Sequence, residues 1–254
     1  MNTNPLNTED KDKLFGFLNG DLSTEALEQW LYYTPDLEER LGKEFYFELI
    51  DTNYRNKQVR HELKKIVFQN YITTDDFNEW KLHALLKKSG WFKDRNLEIS
   101  NSTFPSTQAF ENALSIINEF GRLKFNSNET HEEWTPTLLE FLTEPYEKNT
   151  DEFETNISLV CFAYTHNAHV YLYVDDNNNY YTDNIAGDFL YKYTGPTFDQ
   201  LLKEILQIVD EDNFEKFATS KKITQEKAIR NKPTALHSSP TKSFLTRLWN
   251  WMKD

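Results

Sequence analysis

Two short runs near the middle of the chain constrain the fold most. Ile157 to Thr165 (ISLVCFAYT) and His169 to Asp175 (HVYLYVD) are dense in β-branched and aromatic residues, and only His166-Asn167-Ala168 separates them. That connection is consistent with a hairpin, and so with antiparallel strands. A second turn, Asp176 to Asn179 (DNNN), leads into Tyr180 and Tyr181, and Phe189 to Tyr193 reads as a further strand. Thr197 then opens a helix whose Leu201, Leu202, Ile205, Leu206 and Val209 would cover one face of the sheet.

The first ninety residues read differently. Ser23 or Thr24 opens a stretch with Leu27, Trp30 and Leu31 at helical spacing. Thr34, followed by Pro35, Asp36, Glu38 and Glu39, predicts a helix start that Gly42 would end. Phe45, Leu49 and Ile50 mark the next helix, and Val59, Leu63, Ile66 and Val67 another. Residues 75–89 make one more, with Gly90 as its expected stop, and residues 107–120 carry a helix through Phe110, Leu114 and Ile117. Helices this short do not persist alone and must pack on a neighbour. The class is α+β: an N-terminal helical module, then an antiparallel sheet flanked by helices. The expected divisions are residues 1–80, 81–213 and a basic tail, 214–254.

Composition removes several function classes. Nineteen Phe, thirteen Tyr and six Trp exclude disorder throughout. A net charge of −13 repels phosphate, which argues against free nucleic acid as a partner. That charge is uneven, with +6 in residues 214–254 against −19 before them. The single cysteine, Cys161, permits no internal disulfide and sits among Leu159, Val160 and Phe162, as a buried core thiol would. No signal peptide is visible, and no apolar run approaches the ~18 residues of a membrane span, so a cytoplasmic location is expected. Lys227 to Lys242 reads as a linker; beyond it Phe244, Leu245, Leu248, Trp249 and Met252 share a helical face. This segment could dock on its own domain, on a partner, or on a membrane surface, the last being the least favoured.

Catalytic signatures are absent. No phosphate-cradling glycine loop, nucleophile elbow or zinc helix occurs. His166 and His169 lack the further ligands that zinc needs. Asp175, Asn177 and Asn179 imitate half a calcium loop, but Tyr180 and Ala186 stand where glycine and a bidentate glutamate belong, so neither metal nor cofactor is expected. The many carboxylate pairs identify no acid and base, yet they would steer a cationic protein surface.

Gly90-Trp91-Phe92-Lys93-Asp94-Arg95, the helix ending Glu119-Phe120-Gly121-Arg122-Leu123, and the close at Gly195-x-x-Phe198-x-x-Leu201-Leu202 together resemble a known family. The chain is similar, over about residues 82–210, to the third subfamily of the SUKH superfamily of bacterial immunity proteins. Arg122 departs from that pattern, standing where the subfamily has a second glycine. Phe17-Leu18-Asn19-Gly20 through Leu27-Glu28, Trp30 and Tyr32 to Leu41-Gly42 resembles a helical module found beside such domains. The resemblance implies a non-catalytic antitoxin that binds a polymorphic toxin, often a nuclease or deaminase, at one equivalent. Trp91, Arg95, Gly121 and Gly195 are then framework residues. For contact with a basic toxin the expected residues are Asp175, Asp176, Tyr180, Asp183 and Asp188, with Glu144, Glu147, Asp151 and Glu152 as a second patch. A regulatory scaffold of the same fold is the alternative, and an enzyme using a carboxylate cluster is a third reading.

Overall fold

The structure is a computed structural model that describes residues 6–100, 103–126, 137–153, 155–165, 170–183 and 188–221. The proposed linker and C-terminal amphipathic segment lie outside the described residues, as do His166 and His169. The chain divides into two compact units, residues 1–83 and 84–254.

The first unit holds α1 (Thr8–Asn19), α2 (Thr24–Tyr33), α3 (Leu37–Leu41), α4 (Lys43–Ile50), α5 (Val59–Asn70) and the start of α6 (Thr74–Lys88). Ser23 caps α2 as its spacing predicts, its side chain accepting the Ala26 N–H. The helix expected from Thr34 instead begins at Leu37. Thr34 precedes proline and is held extended as the end of α2, and Asp36 takes a left-handed φ of 58° with no side-chain cap. Leu14, Phe15, Phe17, Leu27, Leu31, Phe45, Leu49, Leu63 and Val67 form the core of this unit. Full burial of each such side chain is worth about 1.5–3 kcal/mol, which is what holds helices too short to stand alone.

The second unit is built on α7 (Gln108–Phe120), α8 (Phe198–Ile205) and seven strands: β1 (Lys124–Asn126), β2 (Thr137–Lys148), β3 (Leu159–Thr165), β4 (Val170–Val174), β5 (Tyr180–Asp183), β6 (Phe189–Tyr193) and β7 (Phe214–Thr219). The sheet runs β1 to β7 in sequence order with every neighbour antiparallel. The expected boundary at 213/214 is corrected here, because Phe214–Thr219 is the seventh strand, paired along β6. Strand β2 was not foreseen. Its sequence, TLLEFLTEPYEK, contains a proline, but the register shifts between Phe141 and Tyr146, and a bulge tolerates Pro145, which has no N–H to give the ladder.

Both faces of the sheet are buried at its centre, which explains the nearly unbroken apolar run of β3. On one face Phe120, Phe141, Phe162, Tyr180 and Phe198 pack ring against ring beneath α7 and α8. On the other, Leu159, Cys161, Tyr173, Tyr181, Leu190 and Ala218 form a smaller core with Phe153, from the segment between β2 and β3. Phe153 bridges to Ser220, and the Lys221 N–H donates to the Glu152 carbonyl, so that segment ties to the far end of the sheet. Cys161 is a free, fully buried thiol, and burial pushes its pKa up to about 12.

Candidate partner-binding surface

The first acidic group does not form a rim. Asp175 is only 4% exposed. Its Oδ1 accepts the N–H groups of Asn177 and Asn179 at 2.9 and 2.8 Å, and its Oδ2 accepts the Tyr181 hydroxyl at 3.0 Å. It closes the 175–179 turn on itself, which is the ordinary use of an aspartate in a tight turn. Asp183, 5% exposed, takes the Lys148 ammonium at 3.1 Å, the Tyr173 hydroxyl at 2.8 Å and the Tyr171 N–H at 3.2 Å. Neither carboxylate can meet a partner, so both expected contacts are corrected to internal supports.

The remaining members of that group scatter. Asp176 is exposed, but its Oδ1 accepts the Ala109 N–H at the start of α7. Together with the Asn112 amide donating to the Asp175 carbonyl, this bolts the turn to the helix. Tyr180 is half-buried under α8, 5.3 Å from the Phe198 ring. Asp188 is partly exposed, and its carbonyl accepts the Ser220 N–H. The second patch is different: Glu144, Glu147, Asp151 and Glu152 are all exposed, with Glu152 pairing Lys148 at 3.1 Å.

Trp91, Arg95, Gly121 and Gly195 have structural surroundings. Arg95 donates to the carbonyls of Glu119 and Gly121, the latter at 2.6 Å, and so satisfies the free end of α7. Trp91 Nε1 donates to Glu119 at 3.3 Å. A Cβ on Gly121 would collide with the Ile117 carbonyl, and one on Gly195 with the Tyr193 hydroxyl. Arg122 has φ +66°, so the tight turn that a second glycine would make easy is made here by an arginine in the left-handed region.

One aromatic surface escaped the sequence reading. In register across β1 to β4 stand Lys124, Glu140, Tyr164 and Tyr171, each opposite the next. Lys124 pairs with Glu140 at 3.1 Å, and the Tyr164 ring meets Tyr171 at 6.2 Å. Tyr146, from β2 beyond the bulge, lies edge-on to Tyr171 at 6.2 Å and is 42% exposed. Burial first, and then the neighbouring Cys161, hold its phenol above the ordinary value. Burial, then the bond to Glu140, pushes the Tyr164 phenol up to about 12, so this ring stays neutral at physiological pH. Glu144 and Glu147 stand exposed on either side of Tyr146 along the strand. The signal that could have found this row was the alternation in β2 and β3, which EPYEK obscures.

Among the described residues, no three His, Cys, Asp or Glu side chains are grouped as a metal site would require. No described helix is long and apolar enough to cross a membrane. No family model, curated protein or solved structure matches the chain.

Proposed function

We propose that this chain is an immunity protein of the SUKH type, which neutralises a basic toxin domain by direct one-to-one contact and performs no catalysis itself. The observation that carries the reading is the row Tyr146, Tyr171 and Tyr164, held on a sheet buried beneath and accompanied by the carboxylates of Glu140, opposite Tyr164, and Glu144, just before Tyr146 on β2. Aromatic anchors inside a charged rim are the composition of binding hot spots. Carboxylates around them attract a cationic surface and compete with the phosphates it would otherwise bind. The framework role of Trp91 and Arg95, and the acidity of residues 1–213, agree with this assignment. Contact in the cytoplasm, where the toxin would act, completes the proposal.

The test is titration of the toxin domain encoded beside this chain. Calorimetry should show one equivalent bound, toxin activity should fall linearly to zero at that ratio, and Tyr171→Ala should weaken binding at least about tenfold, as loss of an aromatic hot spot does. Undiminished toxin activity at an excess of the chain would overturn the reading.

A further inference from the structure

Of the six large apolar side chains exposed among the described residues, three, Tyr32, Tyr33 and Phe47, lie within one stretch of the helical unit. Beside them opens a cleft of about 510 Å³ whose lining includes Thr34, Asp36, Glu38, Glu39, Lys43 and Tyr46. Tyr46 forms part of its wall, and its hydroxyl donates to the Leu31 carbonyl, which pins the ring in place. Phe47 stands edge-on to Tyr46 at 5.9 Å. At the other end Tyr33, 81% exposed, directly precedes the lining residue Thr34.

The charges of the cleft select its occupant. Asp36, Glu38 and Glu39 are exposed and form no ion pair among the described residues. Arg40, the one cation of α3, turns away from them to the buried Asp10, at 2.6 Å. Lys43 holds its ammonium over the Phe47 ring at 5.8 Å. That contact is an internal example of a cation seated on an aromatic ring next to the cleft. Three carboxylates with no ion pair among the described residues, lining the same cleft as the Tyr46 ring, suit a guanidinium, which can stack on a ring while its edge bonds carboxylate.

We infer that this cleft docks an arginine-rich extended segment of a partner protein, giving the helical unit an interaction surface of its own. The inference does not rest on the toxin reading, since its probe is a peptide and requires no toxin.

The experiment uses the full chain and a fluorescent nine-residue peptide of alternating arginine and serine, followed by anisotropy at low salt. Asp36→Asn, Glu38→Gln and Glu39→Gln together should weaken binding about tenfold, as the loss of three rim charge contacts would. Asp51→Asn, Asp75→Asn and Glu111→Gln remove equal charge from exposed sites elsewhere and should change it less than about twofold. Tyr33→Ser, which alters no charge and no buried group, should weaken binding about threefold through the lost cation–π contact. Equal losses in the two triple variants would show that overall acidity alone attracts the peptide. That result, or an unaffected Tyr33→Ser variant, overturns the proposal.

Discussion

Residues 175–188 and 144–152 each carry four acidic residues, yet the structure uses them in opposite ways. In the first, Asp175 and Asp183 are drawn inside, where backbone amides, tyrosine hydroxyls and Lys148 surround them. In the second, Glu144, Glu147 and Asp151 project into solvent from a strand and the turn after it. A carboxylate within reach of several donors serves the fold, whereas one on an exposed strand is left for a partner. Negative charge in the sequence therefore overstates the negative surface of residues 175–188 and matches the exposure of the acids in residues 144–152.

The largest expected effect breaks the first region. Asp183→Ala leaves the Lys148 ammonium and the Tyr173 hydroxyl without their shared acceptor, and should lower unfolding free energy by about 3–5 kcal/mol in urea titrations. Asp175→Ala should cost about 2–3 kcal/mol through the opened turn, while Glu147→Ala should stay within about 0.5 kcal/mol. Equal losses at Asp183 and Glu147 would erase the comparison.

Alkaline pH should expose the same contrast. Burial holds the phenols of Tyr173 and Tyr181 above their ordinary value of 10.0, and their carboxylate acceptors Asp183 and Asp175 add to it. In the unfolded chain these phenols ionise from about pH 10 upward, so above that pH the native state holds more protons than the unfolded one. Stability should begin to fall above pH 9, where the Cys161 thiol ionises in the unfolded chain only, and then fall more steeply above pH 10, by about a further 1.4 kcal/mol per pH unit for each of the two tyrosines. Urea titrations at pH 8, 10 and 11 check the slope.

In the second region the effect is kinetic. Glu144→Lys with Glu147→Lys should slow association with a basic partner about tenfold at low salt, with the difference shrinking as salt rises, by stopped-flow fluorescence. The smallest effect lies in the framework: Arg122→Gly should stabilise the chain by about 0.5–1 kcal/mol, because glycine relieves the left-handed φ at that turn.

Much of the fold was legible from local pattern. Ser23 and Thr107 cap the helices they precede, Gly90 ends α6 with φ +96°, and the β3 and β4 runs pair as neighbours. The misses share a cause. β2 hides a proline in a bulge that interrupts its alternation, and β7 places Glu215 and Lys216 beside Phe217 at a sheet edge where most of the strand is exposed, so neither keeps an apolar period long enough to read. The same burial on both faces that makes β3 and β4 conspicuous makes the acids between their neighbours unreadable.

By itself the sequence determined the class of fold, the helical first unit, the antiparallel centre and the sign of the surface charge, all of which depend on residue type and near-neighbour spacing. Only the tertiary structure decided which carboxylates are surface. That outcome depends on donors brought from distant positions, Lys148 and Tyr173 to Asp183, and the Ala109 amide to Asp176. It also decided that Tyr146, Tyr164 and Tyr171, on three different strands, stand side by side, because strand register and not sequence separation sets which side chains are neighbours on a sheet.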